Sequence, residues 1–187
     1  MFDQGEIKMY IGCMYAGKSD MVIRLLKRWY PYPQPVRCVM VKPTLDDRYS
    51  KEEVVTHDGD VKYPAVNTVR LADIEQNLID NFDVIGIDEG QFFPDLAEVV
   101  VRLADVHKKT VYVAALDTDW QRKPWAQVSL LVPQATSVDK VHAICQVCGS
   151  SRGIFTQRTG GGNERTQIGG PEAYKSVCRK CFIQPPE

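Results

Sequence analysis

The sequence predicts an α/β protein: a mostly parallel sheet flanked by helices, followed by a small C-terminal module of different make. Three observations carry that expectation. The run Gly12-Cys13-Met14-Tyr15-Ala16-Gly17-Lys18-Ser19 is entered by a short apolar stretch, residues 7–11, and left by a helix-period pattern. Further apolar runs at 36–41, 82–87 and 110–115 alternate with polar loops and helical patterns, which is how strands covered on both faces are written. Two Cys-x2-Cys knuckles, Cys145/Cys148 and Cys178/Cys181, lie near the C-terminus.

The first run fits Gly-x4-Gly-Lys-Ser, a phosphate-cradling loop. Gly12 and Gly17 permit positive φ and a close backbone approach to an anion. Amide N–H groups from Cys13, Met14, Tyr15 and Ala16 would then point at phosphate oxygens, reinforced by the N-terminus of the next helix. Lys18 supplies a cation for the outer phosphates, and the Ser19 hydroxyl suits Mg²⁺. The helix is amphipathic: Met21, Val22, Leu25, Leu26 and Trp29 share a face, opposite Arg24, Lys27 and Arg28. This is the P-loop, RecA-like form of the α/β class, with a nucleoside triphosphate as the implied ligand.

At 187 residues the chain is long enough for one sizeable core and a small appendage. A net charge of −1 gives no electrostatic case for nucleic acid or an anionic membrane. No apolar stretch approaches the roughly 20 residues that span a bilayer. The acidic start Met1-Phe2-Asp3-Gln4-Gly5-Glu6 lacks a signal-peptide pattern, so a cytoplasmic protein is expected.

Along the chain, prolines at 31, 33 and 35 stop the first helix. Cys38 reads as a small core residue of the 36–41 strand. Asp46, Asp47 and Arg48 follow that strand, where ligand contacts collect in open α/β sheets, although a solvated turn has the same composition. A short strand is expected at 66–69 and a short helix at 71–81. The run ending in Asp88-Glu89-Gly90-Gln91-Phe92 places an aspartate at a strand end, suited to holding Mg²⁺. Glu89 then stands beside the γ-phosphate as a candidate general base. A helix at 94–108 should bury Leu96, Val99, Val100, Leu103 and Val106. The next strand ends in the loop holding Leu116, Trp120, Arg122, Lys123 and Trp125. Those indoles can flank a base or merely pack the loop. A last core strand is expected at 140–144.

The knuckles are separated by 29 residues, 149–177, longer than the common zinc-ribbon spacing of about 15–20. Four thiolates in two knuckles suit one tetrahedral Zn²⁺, with disulfides the competing reading. No histidine stands within or between them and no open ligand is apparent, so the metal is read as structural. The division expected is 1–142 for the ATP-binding part and 143–187 for the zinc part. Between the knuckles, a glycine-rich stretch at 158–170 can act as a lid, with Tyr174 placed to stack on what it covers.

Taken in order, the P-loop, Ile87-Asp88-Glu89-Gly90-Gln91-Phe92-Phe93, Gln121-Arg122-Lys123-Pro124, both knuckles and Ile168-Gly169-Gly170 resemble the type II thymidine kinases. The resemblance runs from about residue 8 to 182. It implies transfer of the ATP γ-phosphate to the 5′-hydroxyl of thymidine, and of deoxyuridine, in nucleotide salvage. By the same resemblance Glu89 matches the catalytic base, and residues 12–19, Asp46–Arg48 and Asp88–Gln91 match the ATP and magnesium surroundings. Cys145, Cys148, Cys178 and Cys181 match structural zinc ligands. Arg165, Thr166, Gln167, Ile168 and Gly169 match a lasso whose backbone reads the base. Met14, Leu116, Thr156 and Tyr174 match its pocket, with Phe92 beside them and Trp120 and Trp125 standing where the family usually has phenylalanines. Homotetramers and dTTP feedback are also implied. The rival from another class is a zinc-ribbon P-loop ATPase acting on nucleic acid, which would carry a basic stripe. A zinc deaminase would need a His-x-Glu motif, which the sequence lacks.

Overall fold

The computed structural model describes residues 4–31, 35–44, 53–55, 62–160, 162, 164–166, 169–170 and 172–184. Its main sheet comprises β1 (Glu6–Gly12), β2 (Cys38–Pro43), β3 (Glu53–Val55), β4 (Lys62–Thr68), β5 (Val84–Ile87), β6 (Thr110–Leu116) and β7 (Ser137–Val141). The spatial order is β3-β4-β2-β5-β6-β1-β7, and every pairing except β3 with β4 is parallel. The central neighbours β5, β6 and β1 therefore deliver their carboxyl ends to one edge, where α/β sheets bind ligands. Register aligns those ends: Ile87 pairs with Val113, and Gly12 with Leu116.

Alternation along the strands divides the core between two faces. Val111, Val113 and Ala115 of β6 join Met9, Ile85 and Ile87 beneath α2 (Glu75–Asn81), α3 (Leu96–Val101) and α4 (Ala126–Leu131). Tyr112 and Ala114 point to the other face, against Val22, Ile23 and Leu26 of α1 (Lys18–Lys27). Gly86 lets α1 sit close: a Cβ there would lie 2.6 Å from Met40 Sδ and 2.8 Å from Leu26 Cδ1.

Several expected boundaries move. α1 ends at Lys27, four residues before Pro31. The 71–81 helix divides into a 3₁₀ turn, Leu71–Asp73, and α2, with the Asp95 carboxylate accepting the Leu71 and Ala72 N–H groups. The 94–108 helix is α3 continued by a wider π turn, Arg102–Val106. That widening rotates the last residue off the stripe. Leu103 is fully buried, but Val106 is 65 % exposed. The last strand lies at Ser137–Val141 rather than 140–144, and Cys38 is only half-buried at the start of β2.

The C-terminal part is a hairpin of β8 (Phe155–Arg158) and β9 (Tyr174–Val177), followed by α5 (Arg179–Ile183). Phe155, Val177, Cys145, Cys178 and Cys181 give it a small apolar cluster of its own. Among the described residues no helix is long and apolar enough to cross a membrane.

Candidate active site

The glycine-rich loop leaves β1 with Gly12 at φ 150°, where a Cβ would sit 2.3 Å from the Val141 carbonyl oxygen. Gly17 at φ 73° caps α1, and Tyr15 also takes positive φ, 63°, a strained position for a bulky side chain that its sequence does not signal. Lys18 Nζ donates to the Cys13 carbonyl at 2.7 Å, which lays the cation against the loop's backbone. Cys13 itself is buried, its Sγ 3.2 Å from the Gly153 carbonyl, and burial pushes its thiol above the ordinary range. It contributes backbone, not a nucleophile.

β5 supplies the carboxylates. Asp88 is buried, and its Oδ1 accepts the Ser19 hydroxyl at 2.7 Å, joining the loop to the β5 end. Burial first, and the charge of Glu89 next, push the Asp88 carboxyl up to about 7, while Ser19 and Lys18 pull the other way. A cation at Ser19 and Asp88 would relieve both effects, which is the donor set Mg²⁺ prefers. Glu89 adopts φ 50°, in the left-handed region, and its carboxylate accepts a hydrogen bond from Gln91 Nε2. The Gln91 carbonyl oxygen in turn accepts the Leu116 N–H at 2.9 Å. Gln91, expected among the nucleotide contacts, is thus turned inward as a strut between Glu89 and β6, and Gly90 beside it is buried under Val113 and Leu96.

Two concavities meet here. One lies over the P-loop and is lined by Tyr15, Ala16, Gly17, Lys18, Ser19, Asp20 and Glu89. The other is a cleft lined by Met14, Phe92, Leu116, Trp120, Trp125, Thr156, Arg165, Thr166, Gly169 and Tyr174. Lys18 and Glu89 line both. All the expected base-pocket residues that are described therefore gather in one place; Asp46, Asp47, Arg48, Gln167 and Ile168 lie outside the described residues.

Thr118 and Asp119 also line the cleft, and sequence reading missed them. Asp119 stands in a loop whose tryptophans drew the notice, and no local spacing marks it. Its partner Arg165 lies 46 residues away, so only the folded chain reveals the pair. The Met14 N–H donates to Thr156 Oγ1 at 3.0 Å and the Tyr15 hydroxyl to the Tyr174 carbonyl at 3.4 Å, tying the P-loop to the C-terminal hairpin.

Cys145, Cys148, Cys178 and Cys181 bring their sulfurs within 4.8 Å of one another, and none is in a disulfide. The Cys148–Cys178 sulfur separation is 3.8 Å. A regular tetrahedron with Zn–S bonds of about 2.3 Å has edges of about 3.8 Å, so the set fits a zinc ion. The thiols are already driven apart in acidity. Burial would raise Cys145, but backbone N–H groups around the knuckles outweigh it and draw it down to about 6. Burial and the neighbouring sulfurs push Cys181 up to about 12. A dication among them favours all four thiolates.

A P-loop fused to a strand-end carboxylate pair, opening onto an aromatic cleft under a hairpin, defines a nucleoside-triphosphate-dependent phosphotransferase. The thymidine kinase family profile matches residues 5–182. The chain is 44 % identical to the thymidine kinase of Rabbit fibroma virus (strain Kasza) over 179 residues, 96 % of this chain and 97 % of that one. It is 43 % identical to that of Myxoma virus (strain Lausanne) and 42 % identical to that of Vaccinia virus (strain Western Reserve) over the same shares. The chain belongs to the thymidine kinase family, and that membership implies ATP and thymidine as its substrates.

Proposed function

We propose that the chain transfers the γ-phosphoryl group of ATP to the 5′-hydroxyl of thymidine, and of deoxyuridine, with ATP over the P-loop and the nucleoside in the aromatic cleft. The observation that carries this is the sharing of Lys18 and Glu89 by both concavities, because phosphoryl transfer needs donor and acceptor oxygens in line across one point. Lys18 and the loop amides hold the phosphates. Glu89 accepts the proton of the attacking hydroxyl, steadied by Gln91. Ser19 and Asp88 hold Mg²⁺, which when bound neutralises phosphate charge. The base lies between Phe92, Trp125 and Tyr174, with Met14, Leu116 and Thr156 around it, and the hairpin excludes water that would hydrolyse ATP.

In this reading residues 1–142 form the ATP-binding unit and 143–187 a unit built on structural Zn²⁺ held by the four cysteines. We further take the enzyme to be a cytoplasmic homotetramer inhibited by dTTP. The test is ADP production with Mg·ATP and thymidine, deoxyuridine, deoxycytidine or single-stranded DNA as stimulant. Thymidine-dependent turnover yielding thymidine monophosphate supports the assignment. Turnover stimulated only by DNA overturns it in favour of a nucleic-acid-dependent ATPase.

A further inference from the structure

The loop between β6 and α4 grips the lid through contacts that the transfer step itself does not use. Asp119 is the fixed half. Its side chain is 1 % exposed, and its Oδ1 accepts the Gln121 and Lys123 N–H groups at 3.0 and 2.9 Å, which locks the carboxylate into its own turn. Its Oδ2 accepts Arg165 Nε from the lid at 2.9 Å. A buried carboxylate with no countercharge is costly, so the turn presents a site that demands a cation.

Arg165 answers that demand and does two other things. Its Nη2 donates to the Pro124 carbonyl at 2.7 Å, and its guanidinium lies 4.1 Å over the Trp125 ring. The Trp125 Nε1 is buried with no hydrogen-bond partner among the described residues. The ring packs on the core, meets Phe92 edge-on at 5.7 Å and lies under the guanidinium. Trp125 and Phe92 both line the cleft. One residue along, the Glu164 carbonyl accepts Trp120 Nε1 at 3.1 Å, which adds a second grip on the same segment.

We propose that Asp119 and Arg165 form a latch that holds residues 164–166 against the acceptor cleft and, through Arg165, sets the face that Trp125 presents to the nucleoside. This rests on the reading of the cleft as the thymidine site. Arg165 is a positioning residue. Two of its nitrogens and its charge are committed to Asp119 and Pro124, so the cation is not offered to phosphate. Opening the latch loosens the acceptor site and admits water, and leaves the P-loop as it was.

The test compares Arg165→Met, Arg165→Lys and Asp119→Asn with the intact protein. Asparagine keeps an oxygen for the two turn N–H groups and removes only the charge, so it reports on the latch where a cruder change would unfold the loop. Thymidine KM should rise about tenfold in Arg165→Met and Asp119→Asn, with ATP KM within about twofold, since either change breaks the ion pair of a buried carboxylate. ADP released in excess of thymidine monophosphate should increase, and Arg165→Lys should recover part of the thymidine affinity. The double variant Asp119→Asn/Arg165→Met should be no worse than either single one. Unchanged thymidine KM in Arg165→Met, or equal rises in thymidine and ATP KM, overturns the latch alone. A wild-type protein indifferent to thymidine overturns both the latch and the reading beneath it.

Discussion

Replacing Glu89 by glutamine tests the chemical core with little change of shape. The Gln91 carbonyl oxygen is committed to the Leu116 N–H, so Gln91 can present only its NH₂ group toward position 89. A glutamine at 89 must turn its own oxygen to that NH₂ and leave its NH₂ facing the cleft. The group that meets the acceptor hydroxyl becomes a donor where an acceptor is required. A positioned general base contributes about 10²–10⁴ in rate, so kcat should fall by that factor, about 3–5 kcal/mol in barrier. The phosphate grip is untouched, because Lys18, Ser19 and the loop amides remain. ATP affinity, measured by calorimetry, should stay within about threefold of wild type, since the groups that face the phosphates are unchanged. A variant whose thymidine-dependent kcat lies within about threefold of wild type would remove Glu89 as the base.

Three other substitutions probe the frame. Cys148→Ser should abolish bound zinc, read by atomic emission, and weaken thymidine binding more than ATP binding; normal zinc content with normal thymidine affinity would refute the ligand assignment. Thr156→Val strips the Met14 N–H of its acceptor and should cost about 1–3 kcal/mol, at about 2–4 °C of Tm per kcal/mol for a chain this size, with an unshifted melt counting against the contact. Gly86→Ala forces a Cβ onto Met40, Leu26 and Val22 and should lower stability by about 1–3 kcal/mol in urea unfolding, and no change in midpoint would mean α1 yields freely.

The parts legible from sequence were those written locally. A loop of fixed spacing, a strand running into Asp88-Glu89 and paired cysteines each carry their chemistry within a few residues, and all three fell where expected. Periodicity was less faithful. The stripe from Leu96 to Val106 is helical by pattern, yet the π turn at Arg102–Val106 inserts a register shift that no side chain announces. β7 is an edge strand with Asp139 and Lys140 exposed, so its alternation is faint and its bounds slid by three residues. The resemblance puts Gln91 in the nucleotide surroundings; its inward turn depends on Leu116, which comes 25 residues later and is adjacent only once β5 and β6 pair. The Asp119–Arg165 pair was invisible for the same reason.

The successive P-loop residues Cys13, Met14 and Tyr15 each bond to the C-terminal part, at Gly153, Thr156 and Tyr174. The phosphate loop and the hairpin beside the four cysteines therefore share a seam of three consecutive residues. Whatever free energy bound ATP lends to the order of that hairpin, the ordered hairpin returns to ATP in equal amount, because coupling between two binding equilibria is reciprocal. Metal held by the four cysteines would in that way become a term in the affinity for the nucleotide, carried by bonds that start at three adjacent residues.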